Sequence, residues 1–254
     1  MSVAQPVVRV AGGRFGYRGH VVVEADLEVR RGEVLALVGA NGSGKTTLVK
    51  GILGLAERLG GTVELLGQPV DRAGRRARIG YVPQRQHAAG PIPATVREVV
   101  HSGRLSRARL VGRSRADDRR AVADAIEAVG LAGASGQPVS TLSGGQQRRV
   151  LVARALAGEA EVLFLDEPLA GVDRDSRAAL AAILGQLVHA GTTIVVVLHE
   201  LGPLEPLITR VTLLDSGAVV SDGPPKLVLG DLADLADEDP HPVGEPSRGL
   251  GLLS

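Results

Sequence analysis

Apolar and polar positions follow two rhythms along this chain. Between residues 7 and 38 they alternate in places, as in Val21-Val22-Val23-Glu24-Ala25-Asp26-Leu27-Glu28-Val29, and Arg31-Gly32-Glu33 reads as a turn. A period of two predicts a small antiparallel sheet. The run Val34-Leu35-Ala36-Leu37-Val38 then drops the alternation, which predicts a strand covered on both faces, as in a parallel sheet. After a glycine-rich stretch, Leu48, Val49, Ile52 and Leu53 recur at helical spacing. Further strands are predicted at Gly61–Gly67 and Ile79–Gln84. Pro91 and Pro93 punctuate a loop, and Thr95 opens a helical pattern carried by Val96, Val99 and Val100. Val122, Ile126 and Val129 mark one face of a helix from about Asp118 to Val129, with Gly130 as its stop. Another helix is predicted from about Gln146 to Leu156, with Ser143 suited to cap it. Two more unbroken apolar runs, Val162–Leu165 and Thr192–Leu198, predict buried strands. Val211–Asp215 and Ala218–Val220 then close the fold. From about Gly230 the chain is rich in Asp, Pro and Gly, so 229–254 reads as a flexible tail.

This order of elements predicts an α/β fold. Strands of parallel type surround a glycine loop, an antiparallel β unit leads in, and a helical segment of about 90–158 is inserted between parts of the sheet. Composition refines the picture in a few respects. The chain has 254 residues, enough for a large core, and aromatics are only 2%, so Val, Leu, Ile and Ala must build that core. A net charge of +1 gives no general case for a nucleic-acid partner. There is no Cys, which removes disulfides and thiolate metal sites and fits a reducing compartment. Met1–Pro6 lacks the basic and apolar regions of a signal peptide. No apolar run nears the ~20 residues needed to span a bilayer. A soluble chain is expected, linked to a membrane only through a partner.

Chemistry concentrates at strand ends. Gly39-Ala40-Asn41-Gly42-Ser43-Gly44-Lys45-Thr46-Thr47 reads G-x-x-x-x-G-K-T between a predicted strand and a predicted helix, the context that confirms a phosphate-binding loop. Gly39, Gly42 and Gly44 let backbone N–H groups turn inward, Lys45 neutralises phosphate charge, and the Thr46 hydroxyl suits Mg²⁺. Asp166 and Glu167 end the Val162–Leu165 run, where ligands bind in open α/β sheets. Asp166 suits Mg²⁺, as in the Walker-B position of P-loop NTPases, and Glu167 suits polarising a water. His199, after Thr192–Leu198, can donate to a phosphate or to developing charge. The other histidines form no ligand cluster, so no zinc site is expected. Ser143-Gly144-Gly145-Gln146 is either a second anion-binding helix start or a plain cap. Gln84 is either a ligand of a metal or its water or an ordinary polar residue. Tyr17, between glycines 16 and 19 in what reads as a loop, either stacks on a flat base or simply packs. Seven arginines between Arg104 and Arg120 read as a solvated face or as a contact for anionic lipid or nucleic acid.

The P-loop, Gln84, Leu142-Ser143-Gly144-Gly145-Gln146, Asp166-Glu167, Asp173 and His199 occur in this order, and residues 7 to about 228 closely resemble the ATP-binding subunit of ABC transporters. The resemblance implies a RecA-like P-loop core and a head-to-tail dimer sandwiching two ATP molecules with Mg²⁺. Gly39, Asn41, Gly42, Ser43, Gly44, Lys45, Thr46 and Thr47 of one copy would hold each ATP. Ser143, Gly144, Gly145 and Gln146 of the other would complete its site, with Ser143 and Gly145 on the γ-phosphate. Tyr17 resembles the adenine-stacking aromatic, Gln84 the Q-loop glutamine near Mg²⁺, Asp173 the D-loop aspartate and His199 the switch histidine. Gln147-Arg148-Arg149 stands where Gln-Gln-Arg is common. Pro93–Val100 with Gly103-Arg104 looks like the metal and metal-chelate importers. Leu169–Asp173 with His199-Glu200-Leu201 looks like their zinc/manganese branch. The implied role is ATP hydrolysis for divalent-metal uptake at the cytoplasmic face of the membrane. Membrane permease subunits and an extracytoplasmic metal-binding protein would be its partners. Another importer substrate, such as a ferric siderophore, or a soluble non-transport ATPase are the alternatives.

Overall fold

A computed structural model describes residues 5–70, 78–84, 94–105 and 115–230. Its strands are β1 (Pro6–Tyr17), β2 (His20–Arg30), β3 (Val34–Val38), β4 (Glu57–Leu65), β5 (Gln68–Pro69), β6 (Ile79–Val82), β7 (Val162–Asp166), β8 (Thr193–Val197), β9 (Arg210–Asp215) and β10 (Ala218–Gly223). Its α-helices are α1 (Lys45–Ile52), α2 (Val96–Ser102), α3 (Arg115–Ala128), α4 (Gly144–Ala157) and α5 (Arg174–His189).

The strands form one sheet in the order β5-β4-β1-β2-β10-β9-β3-β8-β7-β6. Neighbours from β9 to β6 run parallel, while β1, β2, β4 and β5 pair antiparallel. Strands β3, β7 and β8 are buried at every position. Their pleat sends successive residues to opposite faces. Val34, Ala36, Val38, Leu163, Leu165, Ile194 and Val196 join the core beneath α2 to α5. Leu35, Leu37, Val162, Phe164, Val195 and Val197 join the core shared with α1 and the antiparallel strands. Each fully buried Val or Leu contributes about 1.5–3 kcal/mol. A continuous apolar run is therefore what a sheet covered on both faces requires.

Helices α2, α3 and α4 pack on one another, and α4 also packs on β6. Thr95 and Glu98 close a reciprocal cap at the start of α2: Thr95 Oγ1 accepts from Glu98 N, and Glu98 Oε2 accepts from Thr95 N. Helix α3 begins three residues before its predicted start, and α4 begins two before, so that Gly144 and Gly145 lie within its first turn. No described helix is long and apolar enough to cross a membrane. The tail expected after about residue 229 lies almost wholly outside the described residues.

Two local readings of the sequence differ from the structure. Tyr17 is not in a loop but ends β1, paired with His20 across the Arg18-Gly19 turn. Glycine is required at 16 because a Cβ there would sit 1.8 Å from the His20 carbonyl oxygen. The residue marks a close approach of two strands. The arginine-rich stretch is likewise not a uniformly solvated face. Arg104 is only 1% exposed. It donates to Asp118 on α3, to the Ala157 carbonyl at the end of α4, and to Glu159 beyond it, at 2.8 Å each. Gly103 lies so close to the Arg154 carbonyl that a Cβ would be 2.0 Å from its oxygen, which places the next side chain between the helices. Arg107, Arg109 and Arg113 lie outside the described residues.

Candidate nucleotide site

Strand order sets up the site. β3, β8, β7 and β6 are consecutive and parallel, so the segments leaving their C-terminal ends emerge side by side. Gly39 leaves β3 at φ 141°, and Gly42 and Gly44 follow at 85° and 99°. All three lie in the left-handed region, where side chains are strained. A Cβ on Gly39 would also lie 2.0 Å from the Leu214 carbonyl oxygen. Asn41 and Gly42 are exposed at the loop's rim, whereas Ser43, Gly44 and Thr47 are buried beneath it.

Lys45 opens α1 and is only 5% exposed. Its Nζ donates to the carbonyls of Gly39 at 2.8 Å and Ala40 at 2.7 Å. Burial lowers its pKa, and the charges of Glu167 and Asp166 oppose that shift. A buried ammonium held by neutral carbonyls at a helix start suits a polyanion.

Thr46 Oγ1 donates to Asp166 Oδ1 at 2.9 Å. Asp166 is buried, and burial pushes its carboxyl up. The Glu167 charge pushes the same way, while the bonds from Thr46 and Tyr81 and the charge of Lys50 pull it down. A hydroxyl beside a carboxylate whose charge is disfavoured is a donor set that fits Mg²⁺. Glu167 follows at φ 48°, left-handed and unusual for a residue with a side chain. Its Oε1 lies 2.7 Å from His199 Nε2, and its Oε2 accepts from Gln84 Nε2. Residues from the ends of β6, β7 and β8 thus share one carboxylate.

The remaining predicted residues lie apart from this network. Ser143 Oγ accepts from Gln146 N at 3.3 Å, and Gln146 Oε1 accepts from Ser143 N at 2.9 Å, a capping box. Gly144 is open, while a Cβ on Gly145 would lie 2.4 Å from Ser176 Oγ. Asp173 caps α5 by accepting from Ser176 N at 2.9 Å, a bond that holds its carboxyl below the ordinary range. Tyr17 is 44% exposed. Two residues escaped the sequence reading. The Tyr81 hydroxyl reaches Asp166 Oδ2 at 3.5 Å, and burial, with the Asp166 charge, raises its pKa. Arg148 donates to the carbonyls of Pro83 and Gln84. Tyr81 had one signal, an aromatic next to the end of a strand; Arg148 had only its place where the family resemblance has a glutamine.

Such a cradle accepts the phosphates of a nucleotide, and the carboxylates beside it make the chain an ATPase of the P-loop class. The chain belongs to the ABC transporter family, whose model matches residues 22–170. It is 36% identical over 244 residues to the manganese transport system ATP-binding protein MntB of Halalkalibacterium halodurans, covering 92% of this chain and 96% of that one. To the hemin import ATP-binding protein HmuV of Streptomyces coelicolor it is 39% identical over 253 residues, covering 97% and 89%. The solved structure of cbiO1 from Clostridium perfringens, part of the ABC transporter complex cbiONQ, superposes with a TM-score of 0.77 at 26% identity, covering 92% and 94%. The chain binds ATP, and its relatives are ATP-binding subunits of transport systems.

Proposed function

We propose that this chain is the ATP-hydrolysing subunit of an ABC importer that takes up a divalent metal ion, manganese or zinc, through partner permease subunits. One observation carries the catalytic half: Gln84 and His199 hold the two oxygens of Glu167 beside the Lys45 cradle. Lys45 and the N–H groups of the loop bind the β- and γ-phosphates of ATP. Thr46 and Asp166, with Gln84 nearby, would hold Mg²⁺, which when bound offsets phosphate charge. Tyr17 stacks on the adenine. Glu167 orients a water for in-line attack on the γ-phosphorus and takes its proton as the bond to ADP breaks. His199 steadies Glu167 and donates to the developing charge. A second copy, docked head to tail, supplies Ser143 through Gln146 to the γ-phosphate, and Asp173 links the two sites. Helices α2, α3 and α4 belong to the subdomain that meets the permease. That contact places the chain at the cytoplasmic face of the membrane, with no nucleic acid involved.

The manganese transport relative and the segment Leu169–Asp173 support the metal reading. The hemin import relative favours a metal chelate as the second reading. Purified with its permease, the complex separates them by uptake of Mn²⁺ or Zn²⁺ against uptake of hemin. Glu167→Gln tests the catalytic half. It should bind ATP and accumulate as a closed dimer on size exclusion, with turnover reduced at least about a hundredfold. Near wild-type turnover removes Glu167 from its role.

A further inference from the structure

Helix α4 does more than present Ser143, because it also grips the chain on its way out of β6. That strand pairs with β7 and ends at Val82, so the carbonyls of Pro83 and Gln84 lie beyond the ladder. Backbone carbonyls in such a place need partners. Arg148, on the second turn of α4, supplies both. Its Nη1 donates to Pro83 O at 2.6 Å and its Nη2 to Gln84 O at 2.9 Å. Arg154, two turns on, donates to Tyr81 O at 3.2 Å. From the same residue 84 the side-chain amide reaches Glu167. A planar guanidinium spanning two carbonyls fixes the peptide between them more tightly than one point donor can. Burial disfavours the Arg148 charge, and the nearby charges of Asp166 and Glu167 favour it.

We propose that Arg148 is a positioning residue for hydrolysis: by clasping the Pro83 and Gln84 carbonyls it holds the Gln84 amide against Glu167 and links that placement to the helix that carries Ser143. The inference rests on the proposed role of Glu167 in the previous section. Arg148 bonds to the Pro83 and Gln84 carbonyls rather than to the P-loop or the Thr46–Asp166 pair, so its loss acts more on the rate than on ATP affinity, and Arg148→Lys keeps the charge that Asp166 and Glu167 face. Arg148 stands where the family resemblance has a glutamine, whose two N–H donors share one nitrogen on a shorter side chain, whereas this fork gives each carbonyl its own nitrogen.

The test is a double-mutant cycle of Arg148→Met and Gln84→Ala in the permease-bound complex, with Arg148→Lys alongside. The expected result is a kcat about tenfold lower for Arg148→Met, with KM for ATP changed by less than about threefold and Arg148→Lys intermediate. In the Gln84→Ala background, Arg148→Met should cost less than about twofold, because the amide it positions is gone. Additive losses, or a change confined to KM, overturn the proposal. If Arg148→Met does not fold, Arg148→Lys takes its place in the cycle under the same criteria. Wild-type turnover and its loss in Glu167→Gln show separately whether the underlying reading holds. If that reading fails, amide exchange over 79–84 in the ATP-free protein still decides the clasp. Exchange there should accelerate in the Arg148 variant, with 193–197 in β8, one strand beyond β7, unchanged, and equal exchange overturns it.

Discussion

Asp166 is held in an environment that disfavours its charge. Its folded-state pKa lies above the unfolded one, so between those values the folded chain binds more protons than the unfolded chain. Stability contributed there is present at lower pH and is lost as pH rises through the folded pKa. Asp166→Asn removes the buried charge while keeping an oxygen that can accept from Thr46. The ATP-free variant should therefore melt a few degrees above wild type at pH 7–8. The gain should shrink as pH falls toward the ordinary carboxylate range, where wild-type Asp166 is itself protonated. Thermal unfolding across that window checks the sign; a variant less stable than wild type at pH 7–8 contradicts it. Turnover should be lost at every pH, because the charge suited to Mg²⁺ is gone. Residue by residue, chemistry was legible where type and spacing are jointly restrictive, as in Gly39 through Thr47. It was not legible at Arg148, because an arginine on a helix reads the same whether it faces water or a carbonyl.

The helical elements depend on a buried cation. Arg104 joins the end of α2 to α3 and to the chain beyond α4, and its side chain is 1% exposed, against 19% for Asp118 and 42% for Glu159. Removing one partner of a buried pair costs about 3–5 kcal/mol, and the low end applies here because both carboxylates keep access to solvent. Arg104→Met should lower stability by about 3 kcal/mol, roughly 6–12 °C in Tm. Denaturant or thermal unfolding of the isolated chain measures this, and a loss under about 1 kcal/mol places the three groups in effective contact with water. The helices themselves were well marked in sequence. Val122, Ile126 and Val129 are buried as their spacing requires, and Thr95 caps α2. Boundaries were less so: glycines 144 and 145 argue locally against helix, yet the Ser143–Gln146 capping box starts α4 at Gly144, and Gly145 packs against Ser176 on α5.

For the whole molecule, the proposed function leaves each site incomplete in one copy. Ser143 and Gln146 bond to one another and lie outside the network around Lys45 and Glu167. In a head-to-tail pair, a copy defective at Lys45 and a copy defective at Ser143 together retain one intact site, although neither homodimer has any. Mixing the two variants before assembly with the permease should restore a measurable fraction of ATP turnover. Cross-linking in ATP should also place position 143 of one copy beside Lys45 of the other. No recovery in any mixture, with no such cross-link, refutes the dimer.

The unbroken apolar runs by themselves determined that β3, β7 and β8 would be buried strands, and the glycine pattern determined that a phosphate loop would follow the first. These are local consequences of pleat period and backbone sterics, so they are written in neighbouring residues. The order of the parallel strands was decided only by the tertiary structure, because crossovers of many residues leave no periodic trace of which strand lies beside which. That order brings Gln84 and His199 onto the Glu167 carboxylate, while helix packing buries Arg104 and sets Arg148 against the chain leaving β6. Each of these contacts joins residues distant in the chain, and close packing of the whole core is what selects it.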